Sequence, residues 1–292
     1  MKKKSVVFFS VIFPANEKYF NDFLKSISEQ TFNDFDLLLY NDGLNNIDFY
    51  VSRYCDKINV KIISNEKKLS PAGIREYALN YLCKTDYEVI IFGDTDDFFA
   101  DNRVEVTLKC IKDNDIVIND LTLYTEDKKV IYKNYLSQRL NNNSFITFND
   151  IKTCNFLGLS NTAVKRNSLF SIKIDDNLIA VDWFFFSLLL LKGNKAVFIN
   201  ETTTFYRQHS ENQVGLNNID DKTILKGLKV KEQHYKLLSS LNNDMLGMYY
   251  SYRDILKRIE SDKKFFNRYA IYIKSIKIDY PLWWEEIKEC EL

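Results

Sequence analysis

Short apolar runs alternate with helix-like stretches through the first hundred residues, and this alternation constrains the fold more than any other feature. The runs are rich in β-branched and aromatic residues without polar alternation, as in strands buried on both faces, and they occupy residues 6–13, 35–40, 60–63 and 89–92. The stretches between them carry apolar residues three and four positions apart, at 19–30, 47–56 and 72–83. Such repetition predicts an α/β fold with a mostly parallel central sheet, flanked by helices and joined by right-handed crossovers.

The pattern beyond residue 100 is less regular. It predicts a helix at 103–111, an Asn-rich loop at 141–144, an apolar helix at 183–191, and strands at 115–118, 121–124, 155–164, 195–199 and 203–206. From about residue 220 helical spacing dominates. We therefore expect a main domain at 1–216, with halves of about 1–100 and 101–216, and a mainly helical extension at 217–292.

Composition narrows the class of protein. The chain has 46% hydrophobic residues, enough for a large core, and its 40 basic and 40 acidic residues give no sign of a nucleic-acid partner. Five dispersed cysteines form neither a CxxC pair nor a zinc spacing, which indicates reduced thiols in the cytosol.

The run at 183–191 is too short to span a bilayer, and the start lacks a small-x-small cleavage site. We expect a cytoplasmic protein, with peripheral contact at the inner face of the membrane left open.

An acidic segment, Asp-Thr-Asp-Asp at 94–97, follows the buried run 89–92 with only Gly93 between them. Crowded carboxylates repel one another and lose solvation unless a cation compensates them. Carboxylate oxygens favour Mg²⁺ or Mn²⁺, ions that carry the phosphates of nucleotides. The alternative is a structural turn that leads into a helix capped by Asp101. A calcium loop is excluded, because Phe98 cannot bind the ion and Phe99 replaces a required glycine.

Three polar segments follow three of the predicted strands, at 14–17, 41–43 and 94–97. Ligands of parallel sheets bind beyond the carboxyl ends of the strands. We therefore expect these segments to share one rim and to form a metal-diphosphate site.

Ordered sequence blocks extend this interpretation, and they lie between about 5 and 215, at 10–14, 28–32, 35–43, 94–97, 182–183 and 206–210. Together, in this order and spacing, the blocks resemble glycosyltransferase family 2, whose members have the GT-A fold. The resemblance implies an inverting transferase dependent on Mn²⁺ or Mg²⁺. Such an enzyme would move a sugar from a nucleotide-sugar, expected to be UDP-linked, to a glycan or glycolipid hydroxyl during surface polysaccharide synthesis.

The resemblance also implies which residues bind the donor. Asp42 matches the carboxylate that hydrogen-bonds the nucleotide base or ribose, and Pro14 and Ala15 match the loop against the base. Asn16 stands near the position where the family often has an aromatic residue. Arg75 is similar to the arginine of the donor-binding helix, its alternative being a solvated helix charge.

The acidic segment takes the place of the family's DxD pattern. Asp94 corresponds to the carboxylate near the ribose and Asp96 to the metal ligand, while Asp97 could share either role. In relatives the segment around Arg207 and His209 folds over the diphosphate. The resemblance therefore implies that Arg207 binds the donor and that His209 binds the metal.

Asp182 occupies the place of the family's general base, which takes the proton of the acceptor hydroxyl. Its alternative role is a helix N-cap. Trp183 beside it is expected either to stack on the acceptor sugar or to lie in the core. Asn41 and Val181 replace carboxylates that the family usually has just before Asp42 and Asp182.

Two other functions and three roles for the extension stay open. A sugar-phosphate nucleotidyltransferase would normally have a Gly-rich loop after its first strand, which residues 14–19 lack. A non-catalytic relative would bind nucleotide-sugar or glycan only. The extension, with Trp283 and Trp284 among basic residues, could pack on the main domain, pair subunits or contact a membrane.

Overall fold

The computed structural model describes residues 4–55, 58–209 and 219–289. Its first part contains the strands β1 (Val6–Ile12), β2 (Asp36–Asn41), β3 (Asn59–Ile63) and β4 (Val89–Phe92), and the helices α1 (Glu17–Ser28), α2 (Ile47–Tyr54) and α3 (Pro71–Leu82). The predicted alternation of strands and helices is thereby confirmed, and no boundary differs from the prediction by more than two residues.

The second part adds six strands and six helices to the described structure. They are β5 (Phe98–Phe99), α4 (Arg103–Cys110), β6 (Ile116–Thr125), β7 (Val130–Tyr132), β8 (Phe145–Ile146), α5 (Phe148–Ile151), β9 (Thr162–Lys165), α6 (Val181–Leu191), β10 (Ala196–Gln208), α7 (Asp221–Ser239), α8 (Asp244–Ser261) and α9 (Lys263–Ser275). The helical character predicted after residue 220 is confirmed. The predicted domain boundary near residue 216 lies outside the described residues.

Three strand predictions need correction. The strands expected at 115–118 and 121–124 form the single strand β6, and those expected at 195–199 and 203–206 form β10, whose register shifts between Ile199 and Thr203. Of 155–164, only the part from Thr162 belongs to a strand. Residues 155–161 form a buried loop, in which Asn161 donates to the Phe156 carbonyl and accepts from the Gly158 N–H. Buried apolar side chains such as Phe156, Leu157 and Leu159 therefore do not by themselves distinguish a strand from a buried loop.

The main path of the sheet has the order β3-β2-β1-β4-β9-β6-β10-β5. The strands β3, β2, β1 and β4 are parallel, and β6 is parallel to β10, whereas β9 is antiparallel to both β4 and β6. The prediction of a mostly parallel sheet is confirmed. Because β9 is reversed, its first residues lie at the edge where β1, β2 and β4 end.

Apolar layers cover both faces of the sheet. Alternate side chains of β1 point to opposite faces. Phe8 belongs to the core cluster that includes residues of α1, α2 and α4, whereas Phe9 belongs to the cluster that includes residues of α3, α6 and the C-terminal helices. The C-terminal helices belong to the second layer, where the Trp183 ring of α6 stacks on the His234 ring of α7 at 3.8 Å. In the described part of the chain, no helix is both long and apolar enough to cross a membrane.

Candidate active site

The acidic turn is fixed to the strands beneath it. A Cβ at Gly93 would lie 2.5 Å from an atom of the Phe8 ring and 2.6 Å from one of the Phe99 ring, so only glycine fits there. The buried Thr95 hydroxyl donates to the Val11 carbonyl at 3.0 Å, which attaches the turn to β1. The backbone of the turn is therefore held rigidly, and its side chains have defined directions.

A cleft of about 490 Å³ opens at the carboxyl ends of the strands. It brings together seven of the predicted site residues: Ala15, Asn16, Arg75, Asp94, Asp96, Asp182 and His209. Asp96 and Asp182, which come from distant parts of the sequence, share this cavity. The shared rim expected from the sequence is thus formed around the first and third polar segments.

A second cavity, of about 720 Å³, lies after β2 and is lined by residues that include Pro14 and Gly43. Asp42 lines neither of these two cavities. Its backbone N–H donates to the Ile12 carbonyl at 2.9 Å, and its side chain is half-buried. The contact of Asp42 with a nucleotide stays a prediction.

Arg75 on α3 compensates the first carboxylate. Its Nη2 atom donates to Oδ1 of Asp94 at 3.2 Å. Burial raises the pKa of Asp94, the Arg75 guanidinium opposes this shift, and the nearby Asp96 carboxylate adds to it. The start of α3 is well defined, which fixes the position of Arg75. Pro71 occupies the first turn, and the Ser70 side chain caps the helix by accepting from the Gly73 N–H at 3.0 Å.

Asp96 and His209 form the pair that suits a divalent metal. Nε2 of His209 lies 3.0 Å from Oδ2 of Asp96, and the imidazole packs against the Tyr19 ring. At this separation the two side chains contact each other directly, as a hydrogen bond or ion pair. No cluster of three His, Cys, Asp or Glu side chains suited to a metal occurs among the described residues. Asp96 and His209 carry an oxygen and a nitrogen donor of the kinds that hold divalent ions, and they would hold such an ion only together with ligands from outside the protein, such as phosphate and water.

The structure corrects the prediction that Asp97 binds metal. This side chain is 1% exposed, and both of its oxygens accept hydrogen bonds, one from the Ser160 hydroxyl and one from the Arg207 backbone N–H at 2.8 Å. Burial raises the pKa of Asp97 well above its usual value, and the Asp96 carboxylate adds to the shift. The tight turn directs Asp97 into the protein and Asp96 into the cleft.

Arg207 likewise differs from the prediction. The side chain is buried between the rings of Tyr19 and Tyr124, at 4.4 and 4.9 Å from their centres. Its Nε atom donates to the Asp96 carbonyl at 2.8 Å, and its Nη2 atom donates to Asp22 at 2.9 Å. Arg207 therefore positions the acidic turn from behind and does not line the cleft.

Arg103 is a second buried cation that the sequence did not reveal as part of the site. It is fully buried on α4, where its Nη2 atom donates to the Phe92 carbonyl at 2.6 Å and its guanidinium lies 4.3 Å from the centre of the Phe99 ring. Burial lowers the pKa of Arg103 to about 9, while Asp97 and Asp94 oppose the shift. The helix that was expected to begin with an Asp101 cap has Asn102 as its N-cap. The acidic turn is thus more than a helix start, because a buried guanidinium balances its charge.

Asp182 is the second residue of α6 and lines the cleft. Its Oδ1 accepts from the Trp183 backbone N–H at 2.9 Å, and its Oδ2 lies 3.5 Å from the Asn155 amide nitrogen. Burial raises the pKa of Asp182 to about 6, and Asp94 adds to the shift. A carboxylate with this pKa is ionised at neutral pH and is a stronger base than an exposed aspartate.

The structure also corrects the acceptor role of Trp183 in favour of its alternative. The ring is fully buried, stacks on His234 and donates from Nε1 to the Ile151 carbonyl at 2.7 Å. Instead, Trp283 and Trp284 from the C-terminal region line the cleft. In the sequence this pair of tryptophans lies in the C-terminal extension. Spacing along the chain does not reveal that this part of the extension folds back onto the cleft.

Comparison with known proteins places this fold and cleft in a family. Residues 10–176, more than half of the chain, match the model of glycosyl transferase family 2. The chain belongs to this family, and it is a glycosyltransferase with a GT-A-like α/β fold.

Three relatives illustrate the similarity. The chain is 24% identical over 215 residues to the dTDP-rhamnosyl transferase RfbG of Shigella flexneri, covering 69% of this chain and 72% of that protein. It matches the structure of S. aureus TarS 1-349 in complex with UDP at 15% identity and a TM-score of 0.62, over 94% of this chain and 76% of the other. It matches GalNAc-T7 with UDP, GalNAc and Mn²⁺ at 12% identity and a TM-score of 0.53, over 89% and 58% of the two chains. At these identities the two solved structures show the fold alone.

Proposed function

We propose that the protein is a metal-dependent, inverting glycosyltransferase that moves a sugar from a UDP- or dTDP-linked donor to a hydroxyl of a glycan or glycolipid. The observation that carries the proposal is the single cleft in which the Asp96–His209 pair and the raised-pKa carboxylate of Asp182 lie together. The reaction would serve bacterial-type surface polysaccharide synthesis in the cytoplasm. The bound UDP of two solved neighbours and the dTDP-sugar in the name of the Shigella relative support this choice of donor.

Asp182 performs the proton transfer in this proposal. The acceptor oxygen attacks the anomeric carbon while its proton passes to a carboxylate oxygen of Asp182, and the bond from that carbon to the diphosphate oxygen breaks. The bonding electrons leave with the nucleoside diphosphate, and the configuration at the carbon inverts. The Asn155 amide and the Trp183 N–H hold the carboxylate in place during this transfer.

The charge of the leaving diphosphate requires compensation. Asp96 and His209 would hold a Mn²⁺ or Mg²⁺ ion, which when bound supplies positive charge to the phosphate oxygens. Arg75 adds a fixed cation at the cleft, where it already pairs with Asp94. Ala15 and Asn16 form the adjoining wall, where we propose contact with the nucleotide, and Asp42 is proposed for the base or ribose.

The experiment combines donor binding with product identification. Thermal unfolding is measured with UDP, dTDP and a panel of their sugars, each with and without Mn²⁺, because ligands of the native state raise the midpoint. Turnover is then followed as release of nucleoside diphosphate. We expect Asp96→Ala to abolish the Mn²⁺-dependent part of the shift, whereas Asp113→Ala, at an exposed aspartate outside the cleft, leaves it intact.

Two results would contradict the proposal. In a parallel assay with UTP or dTTP and a sugar 1-phosphate, release of pyrophosphate would identify a nucleotidyltransferase. Metal-dependent binding of nucleotide-sugars with no hydrolysis or transfer across a broad acceptor panel would identify a binding protein.

A further inference from the structure

The C-terminal chain returns across the face of the cleft after α9. We call residues 280–287 the return segment. The backbone of Trp283 pairs with that of Asn155 in both directions, at 2.9 and 3.1 Å, and the Tyr135 hydroxyl donates to the Pro281 carbonyl at 2.6 Å. The return segment is therefore attached to the main domain and not only to its own helices.

Side chains anchor the return segment further along its length. The Arg139 guanidinium binds both carboxylate oxygens of Glu285, with one contact at 2.9 Å. The Tyr252 hydroxyl donates to the Ile287 carbonyl at 3.0 Å. Ile287 packs so closely on α7 that a Cβ at Gly227 would lie 2.5 Å from its Cγ1 atom. Bidentate pairing and close packing indicate one defined position for the segment.

This position brings two indole rings to the cleft. Trp283 is half-buried, its ring meets the Tyr206 ring edge to face at 5.7 Å, and both side chains line the cavity. Trp284 is 7% exposed and has a φ of 68°. Bulky residues rarely adopt this left-handed conformation, and it persists only where surrounding contacts impose it, most often at functional sites.

Asn155 connects these rings to the proposed base. Its backbone pairs with Trp283, while its side-chain amide lies 3.5 Å from Oδ2 of Asp182. One residue thus sets the place of both the indole and the carboxylate. A ligand group that packs on Trp283 would be held near the atom that accepts the proton.

We propose that Trp283 and Tyr206, with the mostly buried Trp284 in the cleft wall beside them, form the acceptor subsite, and that this subsite selects a pyranose ring. The inference rests on the proposed glycosyl transfer and specifies its acceptor. A pyranose has a flat face of C–H groups and a rim of hydroxyls, so it can bury that face on an aromatic surface and direct one hydroxyl to Asp182. An open-chain alditol has equivalent hydroxyls but no rigid apolar face, so it should bind more weakly.

The test measures acceptor binding directly, apart from turnover. The full-length protein, saturated with UDP and Mn²⁺, is titrated calorimetrically with the methyl pyranosides of glucose, galactose, N-acetylglucosamine and rhamnose, and with their alditols. We expect at least one pyranoside to bind, with its alditol about tenfold weaker or worse. Trp283→Ala should weaken that pyranoside about tenfold, and Trp283→Phe should largely restore it because an aromatic ring is kept.

A matched control separates the subsite from general effects. Tyr250→Ala removes an exposed aromatic side chain of α8, 43% exposed, and should leave pyranoside affinity unchanged. UDP affinity is measured in every variant to show that the donor side is intact. Equal pyranoside affinity in wild type and Trp283→Ala, or no pyranoside binding to the UDP-loaded protein, would overturn the subsite. Failure of the wild type to bind any nucleotide would instead contradict the proposed function itself.

Discussion

Burial at Asp182 raises its basicity and lowers the stability of the native state. Its folded pKa of about 6 lies above the ordinary 3.8, so its favourable contribution is complete below pH 3.8 and is lost as pH rises through about 6. Asp182→Asn should therefore stabilise the protein at pH 7.5, by up to about 3 kcal/mol, and reduce transfer at least about 100-fold. Urea unfolding at pH 7.5 and 4, together with release of nucleoside diphosphate, measures both effects.

The pH dependence gives an independent check on Asp182. Because the base must be ionised, kcat/KM should fall below about pH 6 in the wild type. Asp113→Asn, at an exposed position, should change neither rate nor stability. An Asp182→Asn variant that loses stability at pH 7.5, or retains full turnover, would contradict the role assigned to this residue.

Asp22 pairs with two cations that differ in burial, and we therefore expect the two ion pairs to contribute differently to stability. Asp22 contacts Arg207, which is 2% exposed, and Lys128, which is 57% exposed. Arg207→Ala should lower the free energy of unfolding by about 3 kcal/mol, because it also removes the hydrogen bond to the Asp96 carbonyl and two ring contacts. Lys128→Ala should lower the free energy of unfolding by less than about 1 kcal/mol. Urea unfolding measures this free energy in both variants, and equal losses would show that Arg207 does not hold the acidic turn.

At the scale of elements, the junction between β4 and the acidic turn depends on a missing side chain. Gly93→Ala would place a Cβ against the rings of Phe8 and Phe99, and such overpacking should lower the free energy of unfolding by about 1–3 kcal/mol. It should also weaken the Mn²⁺-dependent thermal shift, because the turn that presents Asp96 must move. Both quantities are read from one thermal unfolding series.

Gly247 on α8 is the matched control for this substitution. An added Cβ there meets nothing within 4 Å among the described residues, and alanine is the better helix former. Gly247→Ala should therefore stabilise by about 0.5–1 kcal/mol and leave the metal-dependent shift unchanged. A loss of stability at Gly93 together with a gain at Gly247 would identify packing, not chain entropy, as the reason for Gly93.

Local periodicity explains which elements the sequence predicted well. Strands β1, β2 and β4 are almost wholly buried and show as unbroken apolar runs, and α1 carries one apolar stripe. Residues 155–161 include the buried Phe156, Leu157 and Leu159, yet they fold as a loop because the side chains of Asn161 and Asn155 satisfy its backbone groups. Side-chain hydrogen bonds of this kind produce no periodic pattern of apolar residues in the sequence.

At the scale of the whole molecule, the C-terminal helices share a core with α6 through the Trp183–His234 stack. His234 is fully buried, and neither ring nitrogen has a hydrogen-bond partner among the described residues. Burial lowers the pKa of His234 well below its usual 6.5, and Lys231 adds to the shift. Its contribution to stability is therefore complete above pH 6.5 and is lost as pH falls below that value.

Urea unfolding at pH 7.5 and 5.5 tests this contribution in the Asp182→Asn background, where the opposite dependence of that carboxyl is absent. Lowering the pH from 7.5 to 5.5 should be less favourable to the native state with His234 than with His234→Phe, which keeps a ring against Trp183. Asp94 and Asp97, whose raised pKa values act in the opposite direction, are present in both variants. Tryptophan fluorescence and far-UV circular dichroism should give one coincident transition, since the C-terminal helices and α6 share a core. Two separate transitions would show that the C-terminal helices unfold independently.

Only the resemblance to a family assigned Asp182 to the site. The sequence pattern by itself determined the mostly parallel sheet and the acidic turn that places Asp94 and Asp96 at the rim after β4. It could do so because strand and helix periods are local, and because parallel strands end at a common edge. Only the tertiary structure decided that Asp97, Arg207 and Trp183 turn inward and that Trp283 and Trp284 reach the cleft. The direction of a side chain and the meeting of remote segments depend on packing between elements, which no short stretch of sequence encodes.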